Sequence, residues 1–82
     1  MSTEMNWANR LVAVMGRLHK VKPLRTIWTP AGEHEMTLTV VCQERSARTV
    51  LDTNMLRMAF QGDEAVQRSM VCVFSGLLKS LL

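Results

Sequence analysis

The 82 residues predict an α+β domain of order α-β-β-β-α, two helices packed on a three-stranded antiparallel sheet. Three observations carry that expectation. Apolar residues recur at helical spacing near both ends, a period of two runs through the middle, and Pro or Gly punctuates the joins. With 48% hydrophobic and 21% charged residues, residues 1–82 read as a single domain with one core.

Ser2 or Thr3 can cap the first helix, in which Ala8, Leu11, Val12, Met15 and Leu18 fall on one face and Trp7, Val14 and Val21 widen it. Pro23 is expected to stop it near Lys22, because the residue before proline avoids helical angles. Leu24 to Thr29 is rich in β-branched and aromatic types and is closed by Pro30-Ala31-Gly32-Glu33, a strand and its turn. Met36, Leu38, Val40 and Cys42 alternate with Thr37, Thr39, Val41 and Gln43, the pattern of a central strand. Arg45 to Arg48 reads as a polar turn and Thr49 to Thr53 as a third, shorter strand. Asn54 to Gly62 fits a short helix, a strand or a packed loop equally well, and a helical turn ended by Gly62 is the expectation. Asp63 then caps a last helix, with Glu64 favourable in its first turn.

That last helix is apolar on more sides than a small sheet is expected to cover. Val66, Met70, Val73, Phe74, Leu77 and Leu81 make one stripe, and Val71, Leu78 and Leu82 add a flank. The surplus points to a protein partner or a second copy, with Met70, Val71, Phe74, Leu77, Leu78 and Leu82 as the interface. Seven methionines fit an adaptable binding surface.

Chemistry is not signalled. The four glycines are scattered, so no phosphate-cradling loop is formed, and His19 and His34 stand in no nucleophile motif. Glu33-His34-Glu35 lies in an expected turn without a second histidine at helical spacing. Cys42 and Cys72 sit in apolar stretches and read as buried free thiols rather than as a disulfide or a zinc knuckle. The sequence therefore predicts a non-enzymatic binding module of adaptor or inhibitor type, the size that phages and mobile elements often encode. It predicts no cofactor, no metal and no small-molecule substrate. Apolar runs such as Met70 to Phe74 are far shorter than the roughly 20 residues of a membrane span. The polar, acidic start (Ser2, Thr3, Glu4) does not read as a secretory signal, so a cytoplasmic location without membrane contact is expected.

A net charge of +3 is unevenly spread: no acid falls between Glu4 and Glu33, whereas Arg10, Arg17, Lys20, Lys22 and Arg25 all do. Such a cluster can attract phosphate or an acidic surface. The α-β-β-β-α order resembles the double-stranded RNA-binding domain, with Pro23 to Gln43 in the place of its first hairpin. That family grips phosphate with lysines at the start of its last helix, where this chain has Gly62-Asp63-Glu64. The order is also similar to the small Alu-RNA-binding proteins of the signal recognition particle, and that resemblance implies a role for Arg25, Arg45 and Arg48 on the sheet and its loops. RNA binding through Arg10, Arg17, Lys20, Lys22, Arg25, Arg45 and Arg48 is thus the alternative expectation.

Overall fold

A computed structural model describes residues 2–82, in which three helices cover one face of a β1-β2-β3 antiparallel meander. The elements are α1 (Thr3–Leu18), β1 (Arg25–Gly32), β2 (Glu35–Cys42), β3 (Arg45–Asp52), α2 (Thr53–Phe60) and α3 (Glu64–Lys79). The α+β class is as expected, but there is one helix more.

Ser2 caps α1 by accepting a hydrogen bond from the Met5 amide at 3.2 Å. The helix ends at Leu18, earlier than Pro23 implies. The Val21 amide reaches the Gly16 carbonyl at 2.7 Å and the Lys20 amide reaches the Arg17 carbonyl at 3.1 Å, with Lys20 at φ 60°. These two bonds are the Schellman closure, which reverses the chain before proline acts. Gly16 permits the reversal, since a Cβ there would meet the Val21 oxygen at 3.0 Å and Leu24 at 3.1 Å.

In the sheet, Trp28 stands opposite Leu38, Val40 opposite Ala47, and Met36 opposite Leu51. Alternation turns this set toward the helices and Ile27, Thr37, Thr39, Val41, Arg48 and Val50 away from them. Leu38 and Val40 are wholly buried. They meet a core that includes Ala8 and Val12 of α1, Leu56 and Ala59 of α2, and Phe74 and Leu78 of α3. Pro30 is tolerated because β1 is an edge strand, which can lack a ladder donor.

Two strand boundaries differ from the sequence reading. β1 runs on through Pro30 to Gly32, with an irregularity in the register there, and its turn is Glu33-His34. The expected turn at Arg45 to Arg48 is instead the first half of β3, and the reversal falls at Gln43-Glu44, where Gln43 takes φ 58°. Neither residue is a usual turn former, so the sequence carries no mark of it.

Residues 53–60, expected as the end of a strand and then a helical turn, form the two-turn helix α2. Asp52 caps it, its carboxylate accepting from the Asn54 and Met55 amides at 2.7 and 3.3 Å. Gly62 at φ 107° closes it, with the Asp63 amide bonded to the Met58 carbonyl at 3.0 Å, and Asp63 then caps α3 through the Val66 amide at 3.1 Å.

The two left-handed positions should respond oppositely to substitution. Gly62→Ala is expected to cost about 1 kcal/mol, whereas Lys20→Gly should stabilise by about 0.5–1 kcal/mol, read from urea midpoints at unchanged slope.

Candidate functional site

The expected interface on α3 divides sharply on burial. Met70 (3% exposed), Phe74 (0%), Leu77 (7%) and Leu78 (0%) belong to the core of their own chain and are closed to a partner in this fold. Of the six, only Val71 and Leu82 are exposed. The physical reason is α2. A two-helix reading leaves one flank of α3 uncovered, but α2 packs against α3, contributes Leu56 and Ala59 to the core, and is tied to α3 by the Gln67 amide nitrogen donating to the Ala59 carbonyl at 2.8 Å.

The basic residues are not gathered in one place. Arg10 and Arg17 lie on the exposed side of α1, and Lys20 and Lys22 follow it. Alternation sets Arg25 and Arg48 on the opposite, helix-free face of the sheet, one row apart, since Arg25 pairs with Val41, and Ile27 with Thr39, itself paired with Arg48. Arg45 has a structural partner: its guanidinium donates to the Leu81 and Leu82 carbonyls and holds the end of the α3 segment beside β3. The one aromatic of the sheet, Trp28, faces inward, where its indole N–H donates to the Asn9 side-chain oxygen at 2.8 Å. By the same alternation the outer face carries arginine, threonine, serine and aliphatic side chains, with Glu35 at its end, and no ring on which a base could stack.

Glu33 and His34 form the exposed tip of the first hairpin, 4.0 Å apart. His19 caps the C-terminal end of α1. Among the described residues no three His, Cys, Asp or Glu side chains come together at metal-binding range. Cys42 is half-buried against the core, whereas Cys72 is exposed on α3, contrary to the buried expectation. Cys72 stands on the side of α3 away from Phe74, which two residues of helical rotation impose.

Sequence reasoning missed the uncovered apolar surface elsewhere. Leu18 is 77% exposed and Val14 46% exposed on α1. Val50, Met55 and Val73 border a shallow cleft floored by Leu51 and Met70, where β3, α2 and α3 meet. A second cleft on α3 is lined by Glu64, Gln67, Arg68, Val71 and Cys72. The signal for α1 was present, since Trp7, Leu11, Val14 and Leu18 repeat at spacings of four, three and four, but they merge in sequence with the core stripe of Ala8, Val12 and Met15. Within residues 2–82 no helix is long and apolar enough to cross a membrane. Compared with models of protein families, with curated proteins and with solved structures, the chain matches none.

The division of α3 has a direct consequence for stability. Leu78→Ala should lower it by about 2–4 kcal/mol, as for a filled core site, while Val71→Ala and Leu82→Ala should each cost under about 1 kcal/mol in the same denaturation experiment.

Proposed function

We propose that this chain is a non-catalytic protein-binding module that acts by covering a surface of its partner. The observation that supports this most is the distribution of side chains: among the described residues no polar or charged one is buried, while large apolar ones stand in solvent on all three helices. Charged groups that perform chemistry are usually drawn into clefts where the medium strengthens them. Here the burial runs the other way. The apolar positions are Val14 and Leu18 on α1, Met55, Met58 and Phe60 on α2, and Val71 and Val73 on α3, with Leu82 beyond it. Exposed methionines and leucines adapt to a partner's contours at modest cost.

RNA binding remains the second reading, on the strength of Arg25 and Arg48 sharing one bare sheet face. It draws less support, because Arg10 and Arg17 lie on the helical layer, Arg45 is engaged with the α3 terminus, and Asp63 and Glu64 occupy the start of α3.

Cross-linking of the whole chain in cells, followed by mass spectrometry, tests the first reading. A stoichiometric protein partner is expected, lost with Val14→Asp/Leu18→Asp or with Val71→Asp/Leu82→Asp and retained by Thr37→Ala. Recovery of RNA alone, with affinity falling steeply between low and high salt and abolished by Arg25→Glu/Arg48→Glu, would overturn it. Self-association has its own readout. Sedimentation velocity should show a concentration-dependent coefficient that Val71→Asp/Leu82→Asp removes, and a constant monomer value would confine the binding to other chains.

A further inference from the structure

We propose that the outward stripe of α1 receives an amphipathic helix whose apolar row is bordered by Asp or Glu at seven-residue intervals. The inference rests on the protein-binding reading above and assigns it a surface and a partner chemistry.

At 100° per residue, α1 carries two apolar stripes. Ala8, Val12 and Met15 make the first, 0%, 1% and 8% exposed, and this one is spent on the core. Trp7, Leu11, Val14 and Leu18 make the second. Their spacing of four, three and four is that of alternate d and a positions in a coiled-coil seam. The seam emerges from the protein along its length: Trp7 and Leu11 are half-buried and packed against the core, Val14 is 46% exposed, and Leu18 is 77% exposed. From Trp7 to Leu18 it is about 17 Å long at 1.5 Å per residue, enough to seat about three turns of a partner helix.

Charge selects the partner. Arg10 and Arg17 each precede a seam residue by one position, which sets both on the solvent-side border where interhelical ion pairs form in coiled coils. Both are exposed, and no acid falls between Glu4 and Glu33 to pair with them along the helix. A second copy of α1 does not satisfy this border. Antiparallel pairing sets arginine against arginine, and parallel pairing sets them against the flank of Ala8 and Met15, which is buried and carries no carboxylate. RNA would satisfy the arginines but leave Val14 and Leu18 with nothing apolar to cover them. A helix with Leu or Ile on its seam and Glu at the bordering positions satisfies both.

The test uses the whole chain and two synthetic 21-residue helices, identical in their Leu seam and carrying either Glu or Lys at the flanking positions. Binding is followed by calorimetry and by backbone amide shifts. The Glu helix should bind about tenfold more tightly than the Lys helix, two exposed ion pairs gained against two like-charge contacts, with shifts centred on residues 7–18. Arg10→Glu/Arg17→Glu should reverse the preference, and Val14→Asp/Leu18→Asp should abolish binding of both while leaving the circular dichroism unchanged. Equal binding of the two helices, shifts centred on α2 or α3, or tight binding to anionic phosphatidylserine vesicles that displaces the Glu helix would each overturn the assignment. Retention of the cellular partner by the Val14→Asp/Leu18→Asp chain would discard α1 as the surface and leave the protein-binding reading standing.

Discussion

Leu38 and Val40 of β2, fully buried against Phe74, Leu78 and Val12, set the conditions for the rest of the molecule. A chain of 82 residues built on a three-stranded meander has enough helix to cover one face of the sheet, and burying that face is the dominant favourable term in forming it. Everything outward of the sheet follows from this one-sided burial. Threonines and arginines occupy the bare face because alternation puts them there once Leu38 and Val40 point inward. Three helices share the inner face, so each must divide its apolar residues between sheet, neighbour and solvent.

What the sequence made legible was the part governed by that burial. The alternation from Met36 to Cys42 marks β2 because a strand sandwiched between two neighbours and covered on one side has no other way to be built. Caps were legible too: Ser2 and Asp63 act at the helix starts and Gly62 at a helix end, because the chemistry is local. The first half of β3 was not. Arg45-Ser46-Ala47-Arg48 is polar because an edge strand with one solvated face needs little apolar content, and the reversal before it uses Gln43 and Glu44, which carry no turn preference. The helix α2 was ambiguous for the opposite reason: eight residues are too few for a periodicity to establish itself, and Asp52 and Gly62 define it from outside.

The candidate surface was misread through the same gap. Without α2, Leu78 counts as surplus; with it, Leu78 is core, and of the six expected interface residues only Val71 and Leu82 reach solvent. On α1 the sequence merges two stripes into one broad apolar band. Only the burial of Ala8, Val12 and Met15, beside the exposure of Val14 and Leu18, separates a stripe that holds the domain together from one that is free for another chain. The arginines then acquire a context that net charge alone does not supply.

The two hairpin tips are built differently. At the first, the His34 carbonyl receives both the amide of Thr53 at 2.9 Å and its hydroxyl at 3.1 Å, which lashes the tip to the start of α2. The second tip, Gln43-Glu44, lies along the rim of an open depression shared with Arg45 and Leu81, and Gln43 borders another with Pro23 and Leu24, away from α2. An epitope or fluorophore grafted into the second tip leaves the α2 anchorage intact, whereas the same graft at the first would loosen a helix some twenty residues downstream in sequence.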